Sequence, residues 1–266
     1  MSKNQAAVEI KDLTVTFSRW GQNVTALDRV NLAIPPGQWV MLVGHNGSGK
    51  STLLKAISRR LAPSGGQISI GGKQTTKMGS SQIAKQVFHV HQDPLMGTAP
   101  KLTLFENLMV ADHQAQVEGT SRRELIGKYR ELLQPLGLAG RMKQLAGYLS
   151  GGERQLIALL IARLRPASLL LLDEPLAALD PAKAEMCMNV ITSLHTQGIA
   201  IIQVTHDQSL AISAGERTLA LRDGRFVYDQ LGRDRELMHL QEVWSSQFEV
   251  LQRSDIAQGV DGQRDL

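Results

Sequence analysis

The chain of 266 residues contains one cysteine, Cys187. No internal disulfide can form, which fits a reducing compartment. Cys187 lies in the run AEMCMNV and reads as a small buried apolar residue rather than a reactive thiol. No apolar run approaches the roughly 20 residues that a membrane span needs. The best candidate, LIALLIARL, is short and interrupted by Arg163. The opening MSKNQAAVEIKDL lacks the apolar stretch of a secretory signal, so none is expected. Charge of one sign is not in excess either. The net charge is +4, with lysines and arginines spread along the chain. That balance gives no argument for nucleic acid, and none is expected as a partner. Internal repeats and low-complexity segments are absent. Apolar residues make up 42% of the chain, ordinary for a globular protein able to bury a full core.

Strand signals dominate the first third. Val8 and Ile10, then Leu13, Val15 and Phe17, alternate with polar residues. IPPGQ is a turn, and WVMLVG is a continuous apolar strand that runs into a glycine loop. KSTLLKAISRRL then has helical spacing at Leu53, Leu54, Ile57 and Leu61; APSGG ends it, and QISIGG is a short strand. The middle third is helical. Thr103 with Glu106 and Ser121 with Glu124 are capping boxes, and Leu125, Tyr129, Leu132 and Leu136 form an apolar face closed by Gly137. The last third alternates again. LLLLDE is a strand buried on both faces, PAKAEMCMNVITSLH a helix with Pro181 in its first turn, IAIIQVTH a strand, and TLALRDGRFVY a hairpin on an Asp-Gly turn. The alternation predicts an α/β fold with a parallel sheet covered by helices. Residues 1–230 form one domain, in which roughly 95–165 is an inserted helical subdomain. Within 231–266, Leu237, Leu240, Trp244 and Leu251 predict a short amphipathic helix, followed by a polar, disordered tail.

Two glycine loops carry the chemistry. GHNGSGKST, Gly44 to Thr52, matches G-x-x-x-x-G-K-[ST] between a strand and a helix. Its glycines let the N–H groups along Gly44, His45, Asn46, Gly47, Ser48 and Gly49 turn toward phosphate oxygens. Lys50 neutralises the β and γ phosphates, Ser51 offers a hydroxyl to Mg²⁺, and the helix that Thr52 joins aims its positive end at the anion. Within that loop His45 fills a variable position and faces solvent. In SLLLLDEP the strand ends in Asp173 beside the metal, with Glu174 next; a helix cap is the alternative for either acid. The second loop is YLSGGERQ. Ser150 and Glu153 form a third capping box, which reads as a plain helix start. Gly151 and Gly152 weaken such a start by about 1 kcal/mol each against alanine when they fall inside it. They make sense if an anion approaches the free N–H groups closely.

LSGGERQ, followed by LLLLDEP, AALD and VTHD, resembles the ATPase subunit of an ATP-binding-cassette (ABC) transporter, in order and spacing over roughly residues 8–230. The resemblance implies a P-loop cassette with an antiparallel β subdomain and an inserted α-helical subdomain. It implies ATP hydrolysis with Mg²⁺ held by Ser51, Asp173 and Gln92. Two subunits, a second copy or a paralogue, would sandwich ATP head to tail, and the LSGG loop of one would close on the γ-phosphate at the P-loop of the other. Gln92, in VHQDP, matches the glutamine that touches Mg²⁺ and the attacking water; Glu174 matches the general base. Asp180, in AALD, matches the loop crossing the dimer interface, and His206, in VTHD, the histidine at the γ-phosphate. Trp20 is the first choice for the adenine-stacking aromatic and Phe17 the second. Glu153 stands where glutamine is common, and Ala178 where serine is usual. VHQDPLMGTAPKLTLFENL and AALDPAKAE resemble a bacterial branch paired with a separate permease and an extracytoplasmic binding protein for amino-acid-like uptake. That places the subunit peripherally on the cytoplasmic face of the inner membrane. DPLMGTAPKL is apolar for a surface loop, as a docking site for the permease would be. A non-transport ABC ATPase usually carries a long coiled coil or two cassettes; neither is visible here. His89 and His91 resemble a metal pair, but one strand supplies too few ligands.

Overall fold

A computed structural model describes residues 5–19, 22–112, 120–165, 167–177 and 179–232. Trp20, the serine-to-alanine departure at Ala178 and the amphipathic segment after 232 lie outside the described residues. The strands are β1 (Val8–Arg19), β2 (Gln22–Ile34), β3 (Trp39–Val43), β4 (Gly65–Ile70), β5 (Lys73–Gln74), β6 (Val87–Val90), β7 (Leu169–Asp173), β8 (Ala200–Val204), β9 (Arg217–Arg222) and β10 (Arg225–Leu231). The main helices are α1 (Lys50–Ile57), α2 (Ser80–Ala84), α3 (Leu104–Ala111), α4 (Arg122–Leu133), α5 (Gly151–Leu164), α6 (Pro181–Thr196) and α7 (Gln208–Ser213).

Four strands form an antiparallel sheet in the order β2-β1-β4-β5. Val8, Ile10, Leu13 and Val15 are all buried, although a regular strand would turn Ile10 and Leu13 to opposite faces. A bulge at Asp12, with φ 49°, resets the alternation between them. The side chain of Asn31 clamps that bulge, accepting from the Asp12 N–H at 3.0 Å and donating to the Asp12 carboxylate at 3.0 Å.

The second sheet runs β10-β9-β3-β8-β7-β6. All its pairs are parallel except the β9–β10 hairpin. Its central strands are buried on both faces, which is why they read as unbroken apolar runs. Met41, Val43, Leu170 and Leu172 face a core shared with α3, α4, α5 and α6. Val40, Leu42, Leu169 and Leu171 face α1 and the antiparallel sheet. The chain leaves the sheet after β6, forms α3, α4 and α5, and returns as β7 beside β6. Each of those helices starts with the capping box read from sequence: Thr103, Ser121 and Ser150 each accept from the N–H three residues on. Cys187 sits in the core, where burial pushes its thiol up to about 12.

Candidate active site

Parallel strands align their carboxyl ends, and every residue of the first loop's neighbourhood hangs from that edge. The loop follows β3, Asp173 ends β7, Gln92 follows β6, and His206 follows β8. At Gly44, with φ 152°, a Cβ would sit 2.3 Å from the Leu221 carbonyl oxygen and 2.6 Å from the Ser48 hydroxyl. At Gly49, with φ 108°, it would sit 2.5 Å from the Ala26 carbonyl oxygen. Only glycine fits either position. The Asp223-Gly224 turn, with φ 46° and 75°, braces the loop: the Gly224 N–H donates to the Ser48 carbonyl at 3.0 Å. Sequence reading found that turn as a hairpin tip but not as a brace, because nothing local links it to residues so distant in the chain.

Lys50 is 6% exposed, and its ammonium donates to the carbonyls of Gly44 at 2.6 Å and His45 at 2.9 Å. Burial pulls its pKa down, opposed by the negative charges of Glu174 and Asp173. The Ser48 hydroxyl is buried without a partner among the described residues. A closed loop holding a buried cation and an orphan hydroxyl fits a phosphate chain. Ser51 donates to Asp173 at 3.3 Å. Asp173 is buried, and that burial raises its pKa against the lowering effect of the Ser51 bond. Hydroxyl, carboxylate and the amide of Gln92 are the oxygen donors a hard cation such as Mg²⁺ selects, and when bound it would neutralise phosphate charge.

Glu174 departs from the strand with φ 52°, a left-handed conformation costly for a residue with a Cβ. That twist turns its carboxylate between two partners. Gln92 donates to one oxygen at 3.3 Å, and His206 Nε2 meets the other at 2.8 Å. The turn that carries His206 is fixed by its neighbour Asp207, whose N–H donates to the Thr205 hydroxyl and whose side chain caps α7. Lys50, Ser51, Gln92, Asp173, Glu174 and His206 therefore form one constellation. Among the described residues Asp173 and Glu174 cap no helix; the cap of α6 is Asp180, which accepts from the Lys183 N–H at 2.9 Å.

The second loop lies elsewhere. Ser150 bonds to Glu153 and Arg154, and Asp180 to Lys183 and Ala184, rather than to the phosphate loop. Gly152 is pressed against that start of α6: its Cβ would lie 2.7 Å from the Lys183 side chain. Gly151 and Gly152 are the first residues of α5, a 14-residue helix capped by Ser150. Phe17, the alternative aromatic, is 40% exposed. His89 and His91 stack at 3.9 Å between ring centroids, and no group of three metal-ligating side chains occurs among the described residues.

A parallel sheet with a phosphate loop, a strand-end acid pair and a histidine on the next strand defines a P-loop nucleoside triphosphatase. Residues 27–177 match the family model described as ABC transporter. The chain is 31% identical to the "Tyrosine transport ATP-binding protein" of Clostridioides difficile over 89% of its own length and 96% of that protein. It is 33% identical to the "Macrolide export ATP-binding/permease protein MacB" of Mannheimia succiniciproducens over 84% of its length, but spans only 34% of that longer chain. Among solved structures, the dimeric ATP-binding cassette MJ0796 with ADP and Pi superposes with a TM-score of 0.75 at 29% identity, over 84% of this chain and 98% of that one. The chain belongs to the ABC transporter family, as an ATP-hydrolysing cassette.

Proposed function

We propose that two copies of this chain, or one copy and a paralogue, close head to tail on two ATP molecules and drive a solute through a separate permease. The observation that carries this reading is the Glu174 carboxylate, held between Gln92 and His206 at 3.3 and 2.8 Å. A carboxylate so fixed after β7, at the same sheet edge as the phosphate loop, is placed to take a proton from water attacking the γ-phosphate. Lys50 and the loop N–H groups would hold the phosphates, and Ser51, Asp173 and Gln92 would hold Mg²⁺. His206 orients Glu174 and, once ATP is bound, reaches the γ-phosphate. Ser150, Gly151 and Gly152 supply the N-terminus of α5 to the ATP on the partner copy, and Asp180 lies beside that crossing. Trp20 stacks on adenine.

The described residues hold no helix long and apolar enough to cross a membrane. The chain works at the cytoplasmic face of the inner membrane through its permease. Docking runs through the segment after Gln92, where Leu95 and Met96 are 49% and 58% exposed. Among the compared proteins, the tyrosine transport protein carries "transport" in its name, and the MacB and syringafactin proteins carry "export". The chain covers nearly the whole length of the tyrosine transport protein, and equally of the lipoprotein-releasing LolD and cell-division FtsE proteins. We favour import of an amino-acid-like solute, delivered by an extracytoplasmic binding protein, on the resemblance of VHQDPLMGTAPKLTLFENL and AALDPAKAE to amino-acid-like uptake ATPases. Glu174→Gln tests the catalytic core: steady-state hydrolysis should fall about 10²–10⁴-fold while ATP binding persists. Hydrolysis within a few-fold of wild type would remove Glu174 from its role.

A further inference from the structure

Glu153 brings a negative charge to the place where the proposed dimer must accept one. It lies in the first turn of α5, three residues after the cap Ser150, and stands where glutamine is common in cassettes. One of its carboxylate oxygens accepts from the Ser150 N–H at 2.8 Å. Burial alone would raise its pKa; the bonds from Ser150 and Arg141 outweigh that and hold it below the usual carboxylate range. Glu153 is therefore ionised at neutral pH. A carboxylate at a helix start favours the helix. It disfavours a second anion aimed at the same N–H groups, because like charges repel more strongly as water is excluded.

Arg141 answers that charge. It ends the short turn Ala139–Arg141 that follows α4. Its Nη1 donates to the other Glu153 oxygen at 2.5 Å, and its Nε donates to the Gln144 side chain at 2.7 Å. The Gln144 amide in turn reaches the Tyr148 carbonyl at 3.5 Å, two residues before Ser150. One planar fork thus holds Glu153 and the loop that leads into the second glycine turn. The helix cap does not itself call for an arginine. The boxes at Thr103 and Ser121 close through Glu106 and Glu124 on bonds to the cap residue. The other cations near Glu153 are engaged: Lys183 bonds Asp180, and Arg154 donates to the Gly147 carbonyl at 3.4 Å.

We propose that Arg141 is a positioning residue for the composite site: by neutralising Glu153 it lets the start of α5 accept the γ-phosphate held by the partner copy. The inference rests on the head-to-tail reading above and adds to it a residue that acts through Glu153 rather than on ATP. Glutamine at 153 would close the same capping box without a charge. Arg141 is needed because residue 153 is a glutamate, so the two substitutions must be coupled.

The test uses the full chain carrying Glu174→Gln as parent, with Mg-ATP titrated while sedimentation follows dimer formation. Arg141→Gln should raise the ATP concentration for half-dimerisation about tenfold. Adding Glu153→Gln to it should bring that concentration back to within about twofold of the parent, because the uncompensated charge is gone. A loss of packing at Arg141 would not be rescued in this way. High salt should shrink the Arg141→Gln defect. An ATP-induced thermal shift in every variant shows that each is folded with a working phosphate loop. If Arg141→Gln dimerises at the parent's ATP concentration, or the double substitution is as impaired as Arg141→Gln, the inference is overturned and the dimer stands. A parent that stays monomeric in saturating Mg-ATP removes the dimer, and the inference with it.

Discussion

At the scale of single residues, the site is a set of buried charges awaiting an anion. Lys50 makes its hydrogen bonds only to loop carbonyls, so ATP should add a partner that the unfolded chain cannot match. At ATP about 100 times its Kd, the added stability is about 2.7 kcal/mol. Lys50→Ala should abolish the ATP-induced rise in melting temperature; an undiminished rise would deny Lys50 its role. His89 sets a different limit. Its pKa is pushed from 6.5 down to about 3, so below 6.5 the unfolded chain takes up a proton that the folded one refuses. Stability is unaffected above that value and falls as pH drops below it, by about 2 kcal/mol between pH 7 and 5 for this one group. Urea unfolding at both pH values checks this, and His89→Phe should lose about that much less on acidification. Most of the constellation was legible because each residue sits in a short motif of fixed spacing. The strained φ of Glu174 was not, because backbone strain leaves no mark in residue type. Nor was the pairing of Gln92 and His206 on one carboxylate legible from spacing alone. It follows from strands adjacent in the sheet but far apart in the chain.

Elements were easiest to read where the signal is local. The three capping boxes each put a hydroxyl and a carboxylate within three residues of one another, and all three form. Ser121→Ala should cost about 1 kcal/mol by chemical denaturation. The bulge at Asp12 was hidden, since it appears in sequence only as a broken alternation between Ile10 and Leu13. Packing between elements was hidden as well. The turn Pro94–Gly97 lies so close on α5 that a Cβ at Gly97 would sit 2.6 Å from that of Ala158. Gly97→Val should therefore destabilise by about 1–3 kcal/mol through overpacking, and uncouple the segment after Gln92 from α5. A melting temperature unchanged by this substitution would show that the turn is free to lift.

At the scale of the molecule, the proposed dimer gives one copy half of each of two sites. Within one copy the second loop bonds its own helix start and Arg141, and packs on the start of α6, away from the phosphate loop. The proposed head-to-tail dimer would bring each second loop to the partner's phosphate loop. The most direct measurement is sedimentation of Glu174→Gln with Mg-ATP, alone and combined with Ser150→Arg. The single variant binds ATP without consuming it and should sediment as a dimer. In the double variant a bulky side chain at the start of α5 blocks the partner's phosphate, and the species should be a monomer that still shows the ATP-induced thermal shift. A double variant that dimerises as well as the single one would contradict the composite site, leaving YLSGGERQ as no more than a helix cap.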